Sequence, residues 1–282
     1  MIAHLALLAT AWVTSAADLV AHPREATILD ARGSKAFSAG HIPGAQHVDW
    51  KDYRDGWLFT GKLPKNLDEV AAAFGQLGVD GGRPVVVCGD ARDGWGEEGR
   101  IAWLLRYIGH PDASILDGGM AAWIAAGGVP TKDAATPAPG RFQAHVVPTL
   151  RASISDVARA VTTPSGAAVL DVRSIEEWNG ATPYHESRGG HVPGARHVAW
   201  TDLLDAAGKA LPAATVNDLL ARAGVDANAE VITYCTGGVR SAEALVVLSS
   251  AGRRVRNYDG SWYEWSADES RPAALDRKKD AR

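Results

Sequence analysis

A chain of 282 residues with 46% hydrophobic content and a formal net charge of -4 is long enough to bury about two domain cores. The mildly acidic balance, with a pI near 6.1, excludes a broad nucleic-acid surface, because the one basic cluster, at 276–282, sits in a polar tail expected to stay solvated. Its two cysteines, Cys88 and Cys235, form no Cys-x-x-Cys, which excludes a zinc ribbon, a thioredoxin-type redox pair and a disulfide framework.

The chain opens on MIAHLALLATAWVTSAAD, an apolar stretch containing an Ala-Thr-Ala of the signal-peptidase form. With about eight apolar residues before it and no Lys or Arg, it makes a poor secretory signal, and it is too short to span a membrane. The expectation is a cytoplasmic protein without membrane association. A periplasmic one is the alternative, should a start placed too far downstream have removed a basic segment.

Short β-rich runs at 28–30, 85–88 and 114–116 alternate with helical patterns such as 66–77. The stretch GGVPTKDAATPAPGRF then reads as a linker, with a boundary near residue 140. Beyond it the alternation resumes, with β-rich runs at 168–170, 231–234 and 255–258 and a helical pattern at 215–223. Strands alternating with helices predict an α/β fold whose mainly parallel sheets are covered on both faces.

The second half repeats the first. ILDARGSKAFSAGHIPGAQHVDW at 28–50 returns as VLDVRSIEEWNGATPYHESRGGHVPGARHVAW at 169–200, with an insertion between Trp178 and Gly190. QLGVDGGRPVVV matches RAGVDANAEVIT, and ILDGGMAAW matches NYDGSWYEW. In the shared motifs Asp30, Arg32, Asp171 and Arg173 stand at strand ends, where acid-base pairs can tie loops together. Pro43, Gly44, Pro193 and Gly194 set tight turns, and His41 and His191 are expected to bond to backbone rather than bind metal.

The stretch EVITYCTGGVRSAEALVVL, at 230–248, carries the chemistry. Val231, Ile232, Thr233 and Tyr234 read as a buried strand, and from Ala242 the apolar spacing is helical, so Cys235 lies in a strand-to-helix loop. Gly237 and Gly238 let the backbone curl so that amides converge on an anion at the helix start. A thiol held there, with Arg240 close in sequence, has a lowered pKa and reacts as thiolate. Against this stands the reading of Cys235 as a buried structural cysteine, which the glycines, the arginine and the change of period oppose.

Leu-Asp-x-Arg, Gly-His-[Ile/Val]-Pro-Gly-Ala, Leu-Asp-Gly-Gly-x-x-x-Trp and the Cys235 loop together resemble the tandem rhodanese-type sulfurtransferases over residues 12–270. The resemblance implies two rhodanese-like domains, at 12–130 and 151–268, joined by a linker at 131–150 and followed by a polar tail at 269–282. It implies that Cys235 attacks the terminal sulfur of a small-molecule donor, keeps it as a persulfide, and passes it to cyanide or a thiol. It implies no cofactor and no metal, and the chain is expected to be a monomer. Thr236, Gly237, Gly238, Val239 and Arg240 are expected to hold the donor. Arg188, from the inserted segment that supplies the family's substrate-binding arginines, is a further candidate, with a solvated loop arginine as its alternative.

The loop Cys-Thr-Gly-Gly-Val-Arg-Ser matches neither the thiosulfate pattern, with basic residues just after the cysteine, nor the mercaptopyruvate pattern Cys-Gly-[Ser/Thr]-Gly-Val-Thr. A guanidinium at the loop end suits the sulfonate of thiosulfate, so thiosulfate is the expected donor and 3-mercaptopyruvate the alternative. Aligning RPVVVCGD with AEVITYCT sets Cys88 opposite Tyr234 and Gly89 opposite Cys235, with Asp90, Asp93, Glu97 and Glu98 nearby. The first unit is therefore expected to be non-catalytic, the alternative being a second active cysteine. Two rival functions remain open. One is a phosphatase or arsenate reductase of the same fold, for which Cys-x4-Arg is one residue short of Cys-x5-Arg; the other is a carrier that accepts persulfide without turnover.

Overall fold

A computed structural model describes residues 11–23, 25–56, 60–163 and 167–275, so the first ten residues and the basic cluster at 276–282 lie outside the described residues. In the first half, β1 (Val13–Thr14), α1 (Ala16–Ala21), β2 (Thr27–Asp30), α2 (Ser34–Ala39) and β3 (Gln46–His47) are followed by α3 (Leu67–Gln76). Then come β4 (Val85–Cys88), α4 (Glu97–Tyr107), β5 (Ala113–Leu116) and α5 (Gly119–Ala125). The sheet order is β1-β5-β4-β2-β3, with every pair parallel. The central strand reads Val-Val-Val-Cys and is buried at every position, as a strand covered on both faces must be.

The second half contains α6 (Ile154–Thr162), β6 (Ala167–Asp171), α7 (Ile175–Trp178), β7 (Arg196–His197) and α8 (Ala213–Arg222). It continues with β8 (Glu230–Tyr234), α9 (Arg240–Ser250), β9 (Val255–Asn257) and α10 (Ser261–Ala267). Its parallel sheet runs β7-β6-β8-β9, and a single bridge from Arg151 to Asn257 takes the edge that β1 occupies in the first sheet. The repeat is also kept in register. Asp30 pairs with Cys88 across β2 and β4, while Asp171 pairs with Tyr234 across β6 and β8, so Cys88 and Tyr234 are equivalent positions.

The repeated motifs tie the loops. Arg32 and Arg173 each fork onto the strand-end aspartate, at 2.7 Å for the shortest contact, and each donates to a turn carbonyl, Gly40 and Gly190 respectively. His41 and His191 stack on Phe37 and Trp178 and reach the backbone carbonyls of the same two residues.

The linker is not free chain. Gly140, His145 and Val147 donate backbone bonds to Gly75, Ile108 and Tyr107, holding it on the first unit. At the end of the described residues, Ala274 and His191 exchange backbone bonds and so tie the segment at 269–275 to the second unit. Polar composition alone overlooked these main-chain partners.

The two units meet where α4 crosses α9. Gly99 lets the helices approach so closely that a Cβ there would run into Glu243. One apolar cluster continues through both helices, from Ile101, Leu104 and Leu105 to Leu245, Val247 and Leu248. Truncating any one of these to alanine would cost about 2–5 kcal/mol. Among the described residues no helix is long and apolar enough to cross a membrane.

Candidate active site

Cys235 follows the last residue of β8, and the loop 236–239 carries the chain into α9. The strand end is fixed by Ser261, whose hydroxyl accepts from the Cys235 amide at 3.1 Å and donates to the Tyr258 carbonyl at 2.7 Å. Gly238 has a φ of +82°, and a side chain there would also meet the Asp259 backbone, so only glycine turns the loop here. That turn aims the Gly238 amide at the sulfur, with N to Sγ at 3.1 Å.

Burial of the Cys235 side chain opposes ionisation. The Arg240 charge, the Ser241 hydroxyl and amide and the Gly237 amide outweigh it, and the thiol pKa is lowered. The Ser241 hydroxyl also lies 2.7 Å from Asn257 Oδ1, so its single proton can turn between the two. In the first unit burial pushes the Cys88 thiol well up, and Asp30, Glu98 and Asp90 add to the effect against the pull of Arg32.

Arg240 is held by a partner that sequence reasoning missed. Its Nη1 and Nη2 fork onto Glu177 at 2.7 and 2.8 Å, and Nη2 also donates to the Thr236 hydroxyl at 2.7 Å. That hydroxyl donates in turn to Glu177 Oε1 at 2.5 Å. Glu177 is the third residue of a capping box on α7, in which Ser174 and Glu177 satisfy each other's amides. The signal Ser-x-x-Glu was visible in the sequence, but nothing local tied it to a loop sixty residues on. Desolvation pushes the Glu177 pKa up, yet Arg240, Thr236 and the Ser174 amide hold it down at about 2.

A small pocket of about 20 Å³ opens on Cys235, Thr236, Gly237, Val239 and Arg240. Its walls are Trp50 and Trp95 from the first unit and Tyr184 from the insertion, so the site lies between the two repeats. The Tyr184 ring lies 5.6 Å from the Arg240 guanidinium carbon and meets Trp95 edge to face at 5.4 Å. Thr236, Gly237, Val239 and Arg240 are thus brought together around Cys235, and Gly238 serves through its amide.

Arg188 is not brought there. Its guanidinium donates to the carbonyls of Trp265, Ser266, Asp268 and Arg271, where it closes the C-terminal end of α10, in place of the donor contact expected. The physical reason is the set of orphan carbonyls at a helix end, which five guanidinium donors satisfy well.

A family model for the rhodanese-like domain matches residues 14–126 and 153–268. The chain is 34% identical over 258 residues to a thiosulfate sulfurtransferase of Pseudomonas aeruginosa, covering 89% of this chain and 92% of that protein. It is 30% identical over 241 residues to the sulfur carrier protein TtuD of Thermus thermophilus, covering 81% and 83%. Among solved structures, the 3-mercaptopyruvate sulfotransferase SseA of Escherichia coli superposes with a TM-score of 0.79 at 28% identity, over 90% of this chain and 99% of that one.

Proposed function

The chain belongs to the rhodanese-like family, matched once in each half, and is a sulfurtransferase; from that premise we propose that Cys235 is its nucleophile and thiosulfate its donor. The observation that carries this reading is the Cys235 sulfur itself, 3.1 Å from the Gly238 amide, beside Arg240 and with a lowered pKa. The thiolate attacks the outer sulfur of thiosulfate; the S–S bond to the sulfonate breaks, and sulfite leaves with the bond's electron pair. Cys235 is left as an anionic persulfide, whose terminal sulfur passes to cyanide as thiocyanate, or to a thiol, and the thiolate returns. The same amides and the Arg240 charge stabilise both anionic states, which is the electrostatic part of catalysis.

Arg240 lines the cavity, and its donors not used by Glu177 and Thr236 are available to a sulfonate oxygen. One specific observation favours a second reading: Glu177 takes two of the guanidinium's contacts and offsets its charge, which suits a singly charged donor such as 3-mercaptopyruvate better than a dianion. Comparing kcat/KM for the two donors, with cyanide as the common acceptor, tests the assignment. A preference for 3-mercaptopyruvate would replace thiosulfate as the donor.

A further inference from the structure

The first unit lends the site two tryptophans, but it also inserts a cation beneath the cysteine loop. Arg100, the fourth residue of α4, is 0% exposed. Its Nη1 donates to the Gly238 carbonyl at 3.4 Å and its Nη2 to the Gly61 carbonyl, with the guanidinium 4.7 Å from the Trp103 ring centre. Among the described residues its Nε finds no acceptor, and no carboxylate forms a salt bridge with it. A guanidinium taken out of water without such a partner costs several kcal/mol, so an anion near it has an unusually large effect. Burial pushes the Arg100 pKa down to about 10, and Arg151 pushes the same way, against the opposing pull of Asp259 and Cys235.

The loop geometry calls for such a group. The residue whose amide meets the sulfur, Gly238, turns its carbonyl the other way, and that buried carbonyl is held from below by Arg100 and by Asn257 Nδ2 at 3.3 Å. The repeat supplies an internal comparison. α9, like α4, has eleven residues, and its fourth is Glu243, which packs on Gly96 and Gly99 at the start of α4. At matching positions, then, a cation reaches under the loop with the cysteine, and a carboxyl faces the half whose equivalent position is Gly89.

We propose that Arg100 is a positioning residue for sulfur transfer, a buried cation of the first unit that holds the Cys235 loop and stabilises the thiolate and its persulfide. The proposal rests on Cys235 being the nucleophile. Its test is the rate of Cys235 alkylation by iodoacetamide against pH, read by mass spectrometry in the full chain carrying Arg100→Met, Arg100→Gln or Arg100→Lys. Removing the charge should raise the thiol pKa by about one unit and lower kcat/KM about tenfold, while Arg100→Lys should stay within about threefold of the wild type. Arg100→Gln keeps an amide donor for the Gly238 carbonyl, and so reads the charge even if the Met variant does not fold. A folded Gln variant with an unshifted alkylation profile would overturn the proposal, as would a Lys variant shifted as far as the neutral ones. In the wild type, a donor-dependent persulfide on Cys235 separates the two levels: without it the reading of Cys235 falls and the proposal with it, whereas an unshifted profile with the persulfide intact removes only Arg100.

Discussion

Glu177→Gln separates the two things that Glu177 does for Arg240, holding it in place and offsetting its charge. The carboxylate is 3% exposed in its side chain and is held from its ordinary 4.5 down to about 2. A shift of that size corresponds to roughly 3 kcal/mol of folding stability at neutral pH. Because the folded-state pKa is depressed, the contribution is complete above about pH 4.5 and is lost as pH falls towards 2. Urea unfolding should therefore show the variant about 3 kcal/mol less stable at pH 7, with the gap to the wild type shrinking by about 2 kcal/mol by pH 3. At the same time Arg240, relieved of its carboxylate, should act more strongly on Cys235. The alkylation profile should move to lower pH, and kcat/KM for thiosulfate should rise relative to 3-mercaptopyruvate. A stability loss equal at pH 7 and pH 3 would refute the ionic account, and an unmoved alkylation profile would refute the coupling to the thiol.

Cys235→Ser should abolish sulfur transfer and Cys88→Ser should leave most of it, with mass spectrometry finding one added sulfur on the Cys235 peptide after donor treatment; the added sulfur on Cys88 alone would reverse the assignment. Arg240→Thr should lower kcat/KM for thiosulfate about ten- to a hundred-fold and hit 3-mercaptopyruvate less, whereas equal losses would make Arg240 a general support for the thiolate. Phosphate esters such as para-nitrophenyl phosphate should not be turned over, since the loop is one residue short and its arginine is engaged by Glu177; Cys235-dependent phosphatase activity would contradict this. Glu98 is buried, and its pKa is pushed up by that burial and by Glu97 and Asp90, against its own and the Ala91 amide. With the folded-state pKa raised, the Glu98 contribution to stability is fully present below about pH 4.5 and is lost as pH rises through the raised pKa, so Glu98→Gln should flatten unfolding free energy against pH over that rise.

The sequence alone determined what depends on local period and on repetition. Alternating apolar runs specified two parallel α/β units, and the doubled motifs set their register closely enough to place Cys88 opposite Tyr234, the pairing that Asp30 and Asp171 make. The Cys235 loop was equally legible, because strand, glycines and helix start are contiguous. Tertiary structure decided everything that required distant segments to meet. Glu177 reaches Arg240 across 63 residues and Arg100 reaches Gly238 across 138, while Trp50 and Trp95 become walls only once α4 packs on α9. Arg188 shows the converse: near the site in the motif, it is claimed by the open carbonyls at the end of α10. Short-range pattern encodes which face of an element is apolar, but a buried charge takes whichever partner the completed packing brings within hydrogen-bond distance, and that is set by the crossing of the two helices.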